Sequence, residues 1–428
     1  MTEPLRIGIA GLGTVGASVV KIIQDNEALL SNKCSRKVIV TAVSARDKNK
    51  DRGVDLSDVK WVENPVEIAN DPDVDVVVEL IGGSEGPAYE LISQALINGK
   101  PIVTANKALV AEQSYNLLSN KSGQIAYEAA VAGGIPIIKG LREGLAANNI
   151  KAVYGILNGT CNYILSTMSN TGRDFEDVLK EAQDLGYAEA DPGFDVDGVD
   201  AAHKLAILSA LAYGCWPDFD AISIDGIRNV SALDIQFASE LGYVIKLLGI
   251  TRYTNNGIEQ SVEPCMVPKD AQMAAVNGAF NAVYVDGDFV GETLFVGRGA
   301  GGGPTASAVV ADIVDVARGQ VLPVFGVESA SLEPLRPASL DSREGLYYLR
   351  LMVVDQPGVV ADITAVLRDF NVSMESLLQH GRSPGQPVPL IMTTHHAREE
   401  DIKGVVDRIS ELNSVVEEPH LIRIENFN

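Results

Sequence analysis

Asp200 and Lys204 stand four residues apart, one helical turn, in the run Val199-Asp200-Ala201-Ala202-His203-Lys204-Leu205-Ala206-Ile207-Leu208. On a solvated helix such a pair is a surface ion contact contributing about 0.3–0.5 kcal/mol. This run is apolar on nearly every side, so the helix is buried. A charge taken out of water costs several kcal/mol unless it is paired or lines a cavity. The pair therefore reads as catalytic or substrate-binding, because a partly buried lysine can exchange a proton with a reacting oxygen. His203 projects from a different side and reads as structural. Just upstream, five carboxylates fall between Glu189 and Asp200, Asp195 among them. The order of an EF-hand calcium loop is absent, so the better reading is a loop offering acids to a cationic substrate group.

A second chemistry-bearing pattern opens the chain. The strand-like run Leu5 to Ala10 passes without a gap into Gly11-Leu12-Gly13-Thr14-Val15-Gly16, and the helix-like run Ala17 to Leu30 follows. In that order the first glycine permits a tight turn, the second lets backbone approach a pyrophosphate, and the third allows close helix packing. A glycine-rich turn without ligand is the weaker alternative. Residues 11–16 are thus candidate cofactor contacts. Strand candidates Val38 to Val43, Val74 to Leu80, Ile102 to Thr104 and Gln124 to Glu128 alternate with helix-compatible segments such as Ala88 to Asn98, the pattern of a doubly wound parallel sheet. The second strand ends in Ser44-Ala45-Arg46-Asp47-Lys48, where an NAD-selective site usually has an acid. Arg46 suits a 2′-phosphate, which favours NADP and leaves NAD open; Arg46 and Lys48 as solvated loop charges is the alternative. Lys107, in Thr104-Ala105-Asn106-Lys107, falls at a strand's carboxyl end, where ligands of such sheets bind. It can reach a nicotinamide edge or a substrate carbonyl, or simply be an exposed lysine at a helix start.

From Ile150 the pattern changes: a strand to Leu157, a turn and cap at Asn158-Gly159-Thr160, a helix over Asn162 to Met168, and a charged helix over Phe175 to Leu185. The proline- and charge-rich stretch Leu332 to Glu344 reads as a connector to a separate module. Beyond it strands and helices follow as βαββαβ, a ferredoxin-like order, with the turn Asp355-Gln356-Pro357-Gly358 at the first strand-helix junction.

Composition narrows the partners. A chain of 428 residues calls for two or three domains. The net charge of −23 repels nucleic acid and anionic lipid. Met1-Thr2-Glu3-Pro4 offers no signal core, and no run approaches the ~20 apolar residues of a membrane span, so a cytoplasmic protein is expected. Cys34, Cys161, Cys215 and Cys265 lie far apart without CxxC spacing, against a disulfide framework or zinc knuckle.

Taken together, Gly11 to Gly16, Thr104 to Lys107, Asn158-Gly159-Thr160-Cys161-Asn162-Tyr163, Gly186-Tyr187 through Glu189, Asp191-Pro192, Asp200 and Lys204, and Gly299 to Thr305 resemble the homoserine dehydrogenase family over essentially the full length, in the form carrying a C-terminal ACT regulatory domain. The resemblance implies an α/β protein: a Rossmann domain (1–130), an α+β substrate and dimerisation domain (131–330, its final helix returning to the Rossmann domain) and a ferredoxin-like ACT domain (345–428). It implies NAD(P)-dependent interconversion of L-aspartate 4-semialdehyde and L-homoserine, on the branch to threonine and methionine. Lys204 would donate the proton, Asp200, Glu189 and Asp195 would hold substrate, and Lys107 would touch nicotinamide and substrate. Gly186, Glu189 and Gly301 would add cofactor contacts. A monovalent cation, usually sodium, would bind backbone carbonyls among Glu128, Val131, Gly133 and Ile135. Threonine would be the effector at Asp355, Gly358 and Val359, unless the module only mediates assembly into a homodimer or homotetramer. Two rivals stand beside this reading: an acylating aldehyde dehydrogenase using Cys161 as nucleophile, and an amino-acid sensor that binds nucleotide without catalysis.

Overall fold

The structure, a computed structural model, describes residues 3–119, 123–320, 322–381 and 383–427. Met1 and Thr2, on which the leader argument partly rests, lie outside them. Six strands, β1 (Leu5–Ala10), β2 (Val38–Ser44), β3 (Lys60–Trp61), β4 (Val76–Glu79), β5 (Ile102–Thr104) and β6 (Ile125–Ala126), form a parallel sheet in the order β3-β2-β1-β4-β5-β6. Helices lie on both faces, so β1 and β4 read as continuous apolar runs with Ile7, Ile9, Val77 and Val78 fully buried. This is the Rossmann order, and its direction reverses between β1 and β4, opening a crevice at their carboxyl ends. The helix expected over 17–30 is two: Thr14–Asp25 and Glu27–Cys34, broken where Asn26 leaves helical geometry at φ −111° and ψ 24°.

Helix Gly302–Ala317 returns from far along the chain to this domain: Ala306, Val309, Val310 and Ile313 share a core with Val19, Val20 and Ile23. Its approach is close enough that a Cβ on Gly302 would lie 2.9 Å from Ser18 Oγ and 3.0 Å from Thr14 Cγ2.

The intervening chain builds a mainly antiparallel sheet from Ile150–Ile156, Tyr243–Thr254, Gly257–Pro268, Phe280–Gly287 and Gly291–Arg298. Helices Gly159–Thr171 and Val199–Tyr213 pack against it. Sequence reading found only the first of these strands. The two-residue connection Asn255-Asn256 closed by Gly257 is a hairpin signal that could have revealed two more.

The carboxy-terminal unit has the ferredoxin-like order expected, with strand His420–Ile424 beside Glu344–Val354, then Pro387–Thr394, then Met374–Leu378. It is not a detached module. His420–Ile424 also pairs in parallel with Gly257–Pro268 (Arg423 with Cys265, Ile424 with Met266), so one sheet runs through both units. Buried ions reinforce the seam. Asp234, fully buried, accepts Arg350 Nε at 2.7 Å and Tyr348 Oη at 3.1 Å, faces His420 Nδ1 at 3.1 Å, and accepts the Ser231 backbone at 3.0 Å in a capping box. Arg343 joins Glu263 of one unit (2.6 Å) to Glu399 of the other (2.8 Å). The expected connector is pinned as well: Trp216 N–H donates to Glu333 and Ile258 N–H to Arg336, while Leu332 and Leu335 are buried. Edge backbone that would otherwise be unpaired explains both attachments.

Candidate active site

Each glycine of the loop after β1 has a distinct role. Gly11 takes φ +103°, and a Cβ there would sit 2.4 Å from Leu80 O; a Cβ on Gly16 would meet Gly11 O at 2.0 Å. At Gly13 nothing lies within 4 Å. The turn is thus closed on the protein side at the first and third glycines and open at the second, the arrangement that admits a pyrophosphate at the start of helix Thr14–Asp25. Leu12 is buried beneath the turn, and Thr14 and Val15 begin the helix. Arg46 is exposed and makes no hydrogen bond or ion pair among the described residues. Arg52, which sequence reading passed over, donates Nε to Leu12 O at 3.0 Å and a further N–H to Lys50 O at 2.6 Å, tying the loop after β2 to the glycine turn.

Lys107 is aimed by its own strand end. Buried Glu79 at the end of β4 accepts the Ile81 and Gly82 N–H groups and the Thr104 hydroxyl (2.6 Å). Thr104 Oγ1 in turn accepts Asn106 N–H, and Asn106 caps helix Lys107–Leu118 by accepting Leu109 N–H at 3.2 Å. Lys107 is therefore the first residue of a fixed helix.

Helix Val199–Tyr213 supplies the other side, with Asp200 and Lys204 both buried. Asp200 Oδ2 accepts Lys204 Nζ at 2.7 Å, and Oδ1 lies 3.2 Å from Lys107 Nζ. Asn158, the cap of helix Gly159–Thr171, donates its amide to Asp200 Oδ2 and Asp195 Oδ1, each at 2.8 Å. Lys204 gives a second N–H to Leu157 O at 2.7 Å. Burial pushes the Asp200 carboxyl up, but Lys204, Lys107 and the hydrogen bonds outweigh it and hold it at about 2. Asp195 moves the opposite way, raised by burial and by the charge of Asp200. One carboxylate is thereby kept ionised between two ammonium groups.

The loop from Gly186 is anchored where Thr160 Oγ1 donates to Tyr187 O at 2.7 Å, with Gly186 in the left-handed region at φ +75°. The Glu189 side chain is exposed and touches neither lysine nor Asp200 among the described residues; only its carbonyl is engaged, by Gln183. Gly301, at φ +121°, precedes the helix that packs on Thr14. Cys161 is fully buried, its thiol pushed up by burial and bonded to Asp195 O at 3.2 Å, so it is no exposed nucleophile.

Three family models cover the chain: homoserine dehydrogenase, NAD binding domain over residues 11–125, homoserine dehydrogenase over 136–314, and ACT domain over 347–413. A curated homoserine dehydrogenase of Neisseria gonorrhoeae is 45% identical across all of both chains, and one of Pseudomonas aeruginosa 42% across all of both. The chain belongs to the homoserine dehydrogenase family. A crystal structure of a homoserine dehydrogenase from Thiobacillus denitrificans superposes with a TM-score of 0.93 at 44% identity, covering 99% of each chain. A hyperthermophilic archaeal homoserine dehydrogenase in complex with NADPH gives 0.61 at 29%, covering 73% of this chain and 97% of that one. As a homoserine dehydrogenase the protein is an oxidoreductase with a nicotinamide-nucleotide domain and an ACT domain. Among the described residues no helix is long and apolar enough to cross a membrane.

Proposed function

We propose that this homoserine dehydrogenase interconverts L-aspartate 4-semialdehyde and L-homoserine with Lys204 as proton donor. The observation that carries this is the Lys204 ammonium: two of its three N–H groups are spent on Leu157 O and Asp200, and the third has no partner among the described residues. Bound reduced nicotinamide dinucleotide supplies the hydride. Lys204 holds a proton for the aldehyde oxygen as it becomes an alkoxide, and Asp200 fixes the position of Lys204. Lys107 brings a second positive charge to the same carboxylate and faces the cofactor crevice. Asp195 and Glu189 offer acids to the substrate ammonium group; Gly186, Glu189 and Gly301 are proposed cofactor contacts beside residues 11–16. Arg46, free at the end of β2, favours NADP over NAD.

A monovalent cation, with sodium as our reading, fits the loop Glu128 to Ile135. Val131 is buried, Ala132 takes φ +48°, and among the described residues backbone N–H groups reach the carbonyls of Ala132 and Ile135 but not those of Val131 and Gly133. Carbonyl oxygens of Glu128, Val131 and Gly133, with Ile135 through the lone pair that Ile137 N–H does not take, would hold it as hard ligands. The Glu128 carboxylate is otherwise engaged, accepting Ile138 and Lys139 N–H at 2.9 Å.

Threonine is the proposed effector, at Gly358 and the helix it begins. Asp355 accepts Ser383 N–H at 2.7 Å and Val359 faces the core, so contacts there are made chiefly by backbone. Assembly as a homodimer or homotetramer is our reading for the half-exposed apolar residues Val296, on the end strand Gly291–Arg298 of the middle sheet, and Phe280, on the strand beside it. Initial rates of NADPH and NADH oxidation with aspartate semialdehyde, with and without threonine, test reaction, cofactor and effector together. Failure to oxidise either cofactor would leave only a sensor.

A further inference from the structure

His203 adjoins Lys204 and is buried, and both of its ring nitrogens meet acceptors: Nδ1 lies 3.0 Å from Val199 O and Nε2 2.7 Å from Glu112 Oε1. A carbonyl oxygen only accepts, and so does an ionised carboxylate. Nδ1 therefore donates to Val199 O, and Nε2 is held by Glu112. The ring is stacked between Phe219, at 4.3 Å and 12°, and Phe194, at 5.7 Å and 27°. Phe194 in turn lies under Lys107, whose Nζ is 5.3 Å from its centroid. Glu112 belongs to helix Lys107–Leu118. The contacts thus close a circuit from Lys107 through Phe194, His203 and Glu112 back to the helix that Lys107 begins.

We propose that His203 is a positioning residue for Lys107. With Glu112 and Phe194 it clasps the first-domain helix onto the helix bearing Asp200 and Lys204, and so keeps Lys107 against Asp200. The proposal rests on the reading of Lys107 and Lys204 as the reaction lysines. Among the described residues, Glu112 is the one charged group bonded to the ring. Lys107 stands beyond Phe194, Asp200 and Lys204 are bonded to each other, Asp195 to Asn158, and Arg142 and Glu143 of the packed segment Gly140–Gly144 to each other. A clasp of this kind matters because a misplacement of about 1 Å can cost ~100-fold in rate.

The test is steady-state kinetics of the full chain with aspartate semialdehyde and NADPH for Glu112→Ala, Glu112→Gln, His203→Phe and Lys107→Ala. Glu112→Ala and His203→Phe are expected to lower kcat roughly tenfold or more, with the KM for NADPH changed less than about twofold. Glu112→Gln keeps an amide that can pair with the ring nitrogen in either sense, so its kcat should stay within about threefold of wild type while Glu112→Ala falls. A kcat in Glu112→Gln as low as in Glu112→Ala, or full activity in Glu112→Ala while Lys107→Ala is impaired, overturns the clasp. Full activity in Lys107→Ala instead overturns the reading of Lys107 beneath it. Should His203→Phe fail to fold, the two Glu112 variants decide alone.

Discussion

Lys107 Nζ lies 3.2 Å from Asp200 Oδ1, although one residue opens a helix of the Rossmann domain and the other belongs to the buried helix Val199–Tyr213 that packs on the middle sheet. The contact joins the carboxyl ends of the parallel strands to the carboxylate that pairs with buried Lys204. It is also what makes Asp200 more than the partner of a one-turn ion pair.

Replacing Lys204 by Met should lower kcat by about 100- to 10,000-fold, the range for loss of a positioned acid. The dissociation constant for NADPH, read by fluorescence titration, should stay within about threefold, since the hydrogen bonds of Lys204 go to Asp200 and Leu157 and, among the described residues, none goes to the glycine turn. A kcat near wild type would refute the assignment.

Asp200 sets a pH expectation. Its carboxyl is held at about 2, below the ordinary value of about 3.9, so the stability it contributes is present above about pH 4 and lost as pH falls toward 2. An acid limb in kcat above pH 5 therefore belongs to another group. In Lys204→Met the largest opposing charge is gone and burial dominates, so the carboxyl should rise. Acid unfolding of that variant, followed by circular dichroism, should begin at higher pH than in wild type.

The glycines of the first turn should separate folding from binding. Gly16→Ala forces a Cβ to 2.0 Å from Gly11 O and should lower the melting temperature by several degrees, as overpacking of about 1–3 kcal/mol does. Gly13→Ala meets no protein atom within 4 Å, so it should melt like wild type while raising the KM for NADPH at least about tenfold. Equal effects of the two on melting would contradict these distinct roles.

At the seam with the ACT domain, Asp234→Ala leaves Arg350 and His420 without their buried partner and unlinks a capping box. A loss of about 3–5 kcal/mol is expected in urea unfolding. Truncation of Glu240, an exposed acid paired with His380 at the same seam, should change stability by less than about 1 kcal/mol.

Local patterns were legible wherever one element carried its own signal. The strand-glycine-helix succession, the apolar helix around Asp200 and Lys204, and the βαββαβ order all appear in the structure. The middle sheet was not legible, because its long strands are mixed with polar residues such as Thr251, Gln260 and Ser261 that only long-range pairing buries. Asn158 read as a helix cap, and it is one; its second task, donating to Asp195 and Asp200, follows from where the loop before helix Val199–Tyr213 folds.

Residue types and short spacings are enough to specify a nucleotide turn, a buried ion pair and a terminal ferredoxin-like unit, because a helical turn and a strand's alternation are local geometries. Bringing Lys107 to Asp200, His203 to Glu112 and strand His420–Ile424 to Gly257–Pro268 depends on helices and sheet edges distant in sequence burying one another. Those meetings are set by the packing of whole faces, and no spacing along the chain encodes them.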